Sequence, residues 1–281
     1  MKEEEAQKIA AETRKTYDRV AEEFSASRSK FWDELAFLVE YTKRGGDVLD
    51  IGCGNGRLFP LINERHAQYT GIDYSGGLIR EAQRLHPLGK FVVGDATALP
   101  FPDDTFDVAY SFATVHHIPG NELRTKFFRE AARVLRPGGI FVLTAWELWN
   151  LHHFGKLLVT ALQSILGLTP LGARDLMLTF GKNKEPRYLH TFTERELFAL
   201  LTQNGFAVTN ISTIAHLPHR EKGGRAGRSS EKNIVVVAKK NTNSPLPKPF
   251  ELSFKWSGEP RKDGVLAIDP LKEIEVFSCL S

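Results

Sequence analysis

The sequence predicts an α/β fold on a seven-stranded sheet, mostly parallel with an antiparallel last pair and with helices on both faces. Three observations carry that expectation. Apolar runs alternate with helical patterns from residue 48 to about 146, the order of repeated strand and helix units. The first run leads straight into a glycine-rich loop, "VLDIGCGNGRLF", Val48 to Phe59. Two last runs, "AVTNIST" and "NIVVVAKK", are separated by a long basic loop, so they close the sheet as an antiparallel pair.

The parallel strands fall at "DVLDI", "YTGID", "KFVVGD", "FDVAYS" and "IFVLTAW". Between them "GGLIREAQRLH" and "NELRTKFFREAARVLRPGG" read as helices, the second stopped by Pro137 and the glycines behind it. Leu123, Phe127, Ala131 and Leu135 recur every fourth residue and form the face that covers the sheet. In "TFTERELFALLTQNGF", Thr193 followed by Glu196 is a capping box, and Gly205 is the stop.

The stretch 151–180 interrupts this order. Phe154, Leu157, Leu158, Ala161, Leu162, Ile165 and Leu166 lie on one helical stripe, which predicts a helical insertion serving as a lid or an added core helix at the sheet edge. Its polar face is nearly devoid of basic residues, which argues against docking on a membrane surface. Residues 1–240 therefore read as one domain, and from Asn241 onward a proline-rich, polar stretch predicts a loosely ordered tail over 241–281.

Composition narrows the function classes. The 281 residues are 42% apolar, enough for a substantial core, and the 37 basic against 34 acidic residues leave a formal charge of only +3. Affinity for nucleic acid must then come from local clusters. Cys53 and Cys279 are far apart, which speaks against a disulfide framework or a cysteine metal site and for a reducing, cytoplasmic setting. The charged start "MKEEEAQKIAAETRK" lacks the apolar core of a secretion signal, and no run of about 18 apolar residues predicts a membrane span.

The glycine loop carries the first chemical signal. A loop that cradles a pyrophosphate wants G-x-G-x-x-G, whereas here Gly52, Gly54 and Gly56 alternate and Arg57 stands where the third glycine would fall. Three carboxylates, Asp50, Asp73 and Asp95, end successive strands, a pattern suited to a ligand that carries no phosphate and is not anionic. S-adenosyl-L-methionine is such a ligand. Asp73 can accept from both ribose hydroxyls, Asp95 with Ala96 beside it can take the adenine amino group, and Asp50 can support the loop or the methionine end. No metal is called for.

In order along the chain, "VLDIGCGNG", "GIDYS", "GDATALPFPDDTFDV" and "RVLRPGG" resemble the motifs of the class I, Rossmann-like S-adenosylmethionine-dependent methyltransferases over roughly residues 47 to 146. "TYDRVAEEFSASRSKFW" is similar to the entry segment of the tRNA wobble-uridine methyltransferases that methylate carboxymethyluridine, at Tyr17, Ala21, Phe24, Ser25, Arg28 and Trp32. "ATVHHI", with His116 and His117, and "RYLHTFTERELFALL", with Arg187, Tyr188 and His190, resemble two further segments of that family. The resemblance implies methyl transfer to the carboxylate of carboxymethyl-type wobble uridine, and a small zinc-containing activator subunit as partner.

A carboxylate acceptor is already deprotonated at neutral pH, so it needs alignment and a cation more than a base. Arg28 and Arg187 can grip it bidentately, and His116 can line its pocket; these three are the candidate catalytic residues. The loop "HREKGGRAGRSSEK" places Arg220, Lys222, Arg225, Arg228 and Lys232 against two glutamates, and with Lys182 and Lys184 it is the candidate tRNA-binding surface. The other readings are a quinone, sterol or acyl-carrier type of acceptor beneath an apolar lid, and a cofactor-binding scaffold without activity.

Overall fold

The computed structural model describes residues 1–28, 30–148, 151–215 and 232–242. Strand β1 (Asp47–Ile51) shows why the sheet forms a middle layer. Val48, Leu49 and Ile51 are all fully buried, so the strand is apolar on both faces, as parallel strands sandwiched by helices are. It pairs in parallel with β2 (Gln68–Asp73) on one side and β4 (Phe106–Phe112) on the other. With β3 (Lys90–Val93), β5 (Leu135–Glu147), β8 (Phe206–Ala215) and β9 (Lys232–Lys240) the order is β3-β2-β1-β4-β5-β9-β8. Only the contacts of β9 with β5 and β8 are antiparallel. The predicted seven-stranded sheet is thus the observed one.

The order reverses between β1 and β4, and the crevice at their carboxyl ends is where open α/β sheets hold ligands. Helices α5 (Asn121–Val134) and α7 (Glu194–Gln203) cover one face with Leu123, Phe127, Ala131, Leu197 and Leu201. Helices α3 (Phe59–Glu64) and α4 (Gly76–Leu85) and a 3₁₀-helix at Asp33–Tyr41 cover the other with Leu35, Leu38, Ile62 and Ile79. The capping residue is as read: the Thr193 side chain accepts from Glu196 N at 3.2 Å. Helix α5 stops at Val134, so Leu135, expected on its apolar face, begins β5 instead.

Two elements cross above the crevice. Helices α1 (Glu3–Arg19) and α2 (Ala21–Ser27) come from the N-terminal segment, and a hairpin of β6 (Asp175–Phe180) and β7 (Glu185–His190) forms a separate two-stranded sheet. Helix α6 (Leu151–Ile165) is the expected insertion, but the helical expectation for 151–180 is corrected at its C-terminal end. There Leu176, Leu178 and Phe180 are more buried than Met177 and Thr179, a period of two, and Gly181, in the left-handed region at φ 76°, opens the turn back into β7. Leu157 of α6 packs with Leu148, Leu176 and Leu189, while Phe154, Leu158, Leu162 and Ile165 point outward. Among the described residues no helix is long and apolar enough to cross a membrane. The basic run from Arg220 through Glu231, Cys279 and the tail beyond residue 242 lie outside the described residues.

Candidate active site

A cavity of about 680 Å³ opens at the carboxyl ends of β1, β2 and β4, beneath α1 and the hairpin. One wall is the glycine loop. Gly52 sits at φ 77°, and a Cβ there would lie 2.2 Å from the Thr114 hydroxyl, so neither the backbone nor the space admits another residue. Gly54, at φ 56°, meets nothing closer than the Phe24 ring at 3.6 Å, and its bare backbone forms part of the cavity wall. Gly56 completes the loop at φ 76°.

The three predicted aspartates line the same cavity and are held differently. Asp73 Oδ2 accepts from Gly54 N at 2.9 Å and Oδ1 from Ser75 N at 2.8 Å, which ties the first loop to the second. Each oxygen keeps a lone pair for a ligand donor, and burial raises the carboxyl above its ordinary pKa. Asp95 Oδ1 accepts from Thr97 N and Thr97 Oγ1, leaving Oδ2 free, with Ala96 beside it on the wall. Asp50 is buried at 3% exposure and accepts from the Tyr69 hydroxyl at 2.8 Å; burial pushes it up to about 7. Carboxylates without a cationic partner fit the hydroxyls, amine and positive charge of S-adenosylmethionine, and they would repel a pyrophosphate.

At the other end, the aromatic side chains carry guanidiniums. Arg28 lies over Phe24 at 4.6 Å and Phe180 at 4.8 Å, and Arg187 lies over Phe180 at 4.7 Å and Trp146 at 5.3 Å. Arg57, in the sequence only the residue at which a third glycine would fall, lies over Trp32 at 3.5 Å and lines the cavity. Burial, then the charge of Arg28, lowers Arg57 to about 9. None of the three forms a salt bridge with a described residue.

The histidines divide. His116 is fully buried, stacks on Trp146 at 4.5 Å, accepts from Trp146 N and is not on the cavity wall. His117 is on the wall instead. Its Nδ1 lies 2.9 Å from the Tyr188 carbonyl, which can only accept, so Nδ1 carries the proton and Nε2 accepts from the Tyr17 hydroxyl at 2.9 Å. The Tyr17 oxygen in turn accepts from Arg187 Nη1 at 3.1 Å. Burial and the nearby Arg187 push His117 down to about 3, so it stays neutral. Nothing in "ATVHHI" distinguishes the two rings, because only the short 3₁₀ turn at Val115–His117 decides which faces the crevice.

The model of the methyltransferase domain family matches residues 49–143. An Encephalitozoon cuniculi protein bearing a methyltransferase name is 33% identical over 202 residues, 70% of this chain and 88% of its own length. The chain belongs to the class I S-adenosylmethionine-dependent methyltransferases. The tRNA (carboxymethyluridine(34)-5-O)-methyltransferase of Saccharomyces cerevisiae is 33% identical over 143 residues, so the match spans 51% of this methyltransferase and 50% of the yeast protein. Two solved structures share the fold. A Methanosarcina mazei S-adenosylmethionine-dependent methyltransferase aligns at TM-score 0.63 and 23% identity over 76% of this chain and all of its own. A methyltransferase complex with the Trm112 activator of Haloferax volcanii aligns at 0.55 and 18% over 80% and 97%. When bound, S-adenosylmethionine supplies an electrophilic methyl on a sulfonium.

Proposed function

We propose that this methyltransferase esterifies the carboxylate of a carboxymethyl-type wobble uridine in tRNA. The observation that carries the reading is the set of three guanidiniums, Arg28, Arg57 and Arg187, that line one cavity without a salt bridge to any described residue. Arg28 spends Nη1 on Ser27 Oγ and Arg187 spends Nη1 on the Tyr17 hydroxyl, and the in-plane N–H groups that remain beside the aromatic faces can donate to a carboxylate. The yeast relative's name supports the same acceptor.

In this reading Asp73 accepts from the ribose hydroxyls, Asp95 with Ala96 receives the adenine, and Gly52, Gly54 and Gly56 let the backbone run beside the cofactor. Arg28 and Arg187 hold the acceptor carboxylate in line with the methyl, and the Tyr17–His117 pair fixes Arg187 in place. No general base is required, because the nucleophile is ionised already; positioning of this kind contributes about 7 to 11 kcal/mol. His116 acts from behind, by stacking on Trp146 beneath Arg187.

Lys182 and Lys184 are exposed at the turn of the hairpin that carries Arg187, a placement suited to phosphates flanking the reacting nucleotide. The basic segment Arg220 to Lys232, of which only Lys232 is among the described residues, supplies further cations for tRNA, and a small zinc-containing activator subunit is the further partner. Labelled methyl from S-adenosylmethionine, offered with tRNA bearing carboxymethyluridine and with a lipid extract, is expected in the tRNA alone, with binding that weakens steeply as salt rises. Methyl appearing in a quinone or sterol fraction instead would overturn the assignment.

A further inference from the structure

We propose that Arg57 is the anchor for the carboxylate of S-adenosylmethionine, and that Arg57 and Asp50 together seat the zwitterionic amino-acid end of the donor. The inference uses the family assignment and does not depend on which acceptor is methylated.

The argument begins with direction. With Asp95 at the end of β3 and Asp73 at the end of β2 receiving the adenosine, an elongated ligand continues across the end of β1 toward β4. Its methionine portion then lies along the glycine loop, between Asp50 and Arg57. Among the described residues the Asp50 carboxylate accepts a single hydrogen bond, from Tyr69, and forms no ion pair. Arg57 is pressed flat on Trp32, and its Nη1 is buried without a hydrogen-bond partner. The two charges attract each other without touching, and each is held away from water: burial shifts Asp50 up to about 7 and Arg57 down to about 9. A desolvated acid and a desolvated base facing one space, unpaired, are complementary to an ammonium and a carboxylate on one carbon.

The three guanidiniums also separate by neighbourhood. Arg28 and Arg187 share the Phe180 ring, whereas Arg57, although it feels the charge of Arg28, lies on Trp32 and adjoins the loop. One fork for the donor and two for the acceptor account for all three cations.

The test is calorimetric binding of S-adenosylhomocysteine and of 5′-deoxy-5′-(3-aminopropylthio)adenosine, which lacks only the carboxylate. The unmodified enzyme is expected to prefer S-adenosylhomocysteine by about 10- to 100-fold, the usual worth of a charged hydrogen-bonded pair. Arg57→Met is expected to abolish that preference while leaving the decarboxylated ligand within about twofold, and Arg57→Lys to restore part of it. Arg187→Met is expected to keep the preference. Equal affinity of the unmodified enzyme for both ligands would overturn the proposal, even if Arg57→Met does not fold. So would an Arg57→Met enzyme that keeps the preference or weakens both ligands alike, or loss of the preference in Arg187→Met.

Discussion

At the end of the cavity assigned to adenosine, Asp73 joins Gly54 and Ser75, and Asp95 joins Thr97, through hydrogen bonds between residues at most 19 apart in sequence. At the end proposed for the acceptor, Arg187 reaches Tyr17 across 170 residues and His117 reaches Tyr17 across 100. The first end is made by strand termini that the sheet itself fixes. The second exists only when α1 docks on the hairpin, through Thr16 Oγ1 donating to the Pro186 carbonyl, Tyr188 N donating to Thr13 Oγ1 and the Arg19–Glu185 ion pair. Asp18 holds the same helix to α4 by accepting from Ser75 Oγ and Gly77 N. The two ends are joined by α1, by Asn55 Nδ2 donating to the Arg28 carbonyl and by Thr114 Oγ1 donating to the Gly52 carbonyl. The bonds that hold Asp73 and Asp95 use none of the residues at the other end, so one scaffold can keep its cofactor end while the other is rebuilt.

Asp73→Ala strikes the locally built end hardest. It removes the acceptor for two backbone donors as well as for the ribose, and the affinity for S-adenosylhomocysteine measured by calorimetry is expected to fall about 100-fold. Full retention of affinity would remove Asp73 from the site. Arg187→Met attacks the assembled end alone: kcat/KM for the proposed carboxylate acceptor is expected to drop about 30-fold, with S-adenosylhomocysteine binding within about twofold of normal. A matching loss of cofactor affinity would erase the distinction between the ends.

Tyr17→Phe is milder, since it cuts the Arg187 and His117 hydrogen bonds but keeps the ring against Phe24 and Phe180. A loss of about fivefold in kcat/KM is expected, checked by steady-state kinetics. Because His117 is held neutral down to about 3, its titration adds no limb to the pH profile near the ordinary histidine value of about 6.5. Such a limb, absent from a His117→Gln variant, would contradict the neutral state of the buried ring.

Asp50→Asn has the smallest expected effect and the opposite sign for stability. Burial raises the folded-state pKa of Asp50 to about 7, so ionisation destabilises the fold by an amount that is full above that pH and shrinks as pH falls from about 7 toward the unfolded value of about 4. The asparagine variant, free of that cost, is expected to melt about 4 °C higher at pH 8, with the gain vanishing toward pH 4 while S-adenosylhomocysteine binding weakens. A melting temperature unchanged across that range would show that Asp50 carries no such cost.

The sequence was most legible where structure follows from neighbours. Alternation of strands and helices placed the seven strands, and "DIGCGNG" with Asp73 and Asp95 named the cofactor, because strand ends and the loop behind them occur together in sequence. The β6–β7 hairpin was less legible. The apolar stripe of α6 runs into it without a break, and only the period of two in "LMLTF" and the turn at Gly181 mark the change. In the sequence Arg57 signals only an absent glycine, since its stacking on Trp32 joins residues 25 positions apart in the chain.

By itself the sequence determined the layered sheet, the bare-backbone loop and the acids at the strand ends, all consequences of local periodicity and of residues that no other conformation would suit. Only the tertiary structure decided which of two adjacent histidines faces the crevice, and that Arg28, Arg57 and Arg187 converge there on aromatic supports. The reason is physical: a charge gains its function from what surrounds it after burial, and the helix and hairpin that bury these arginines meet over a gap that chain order does not reveal.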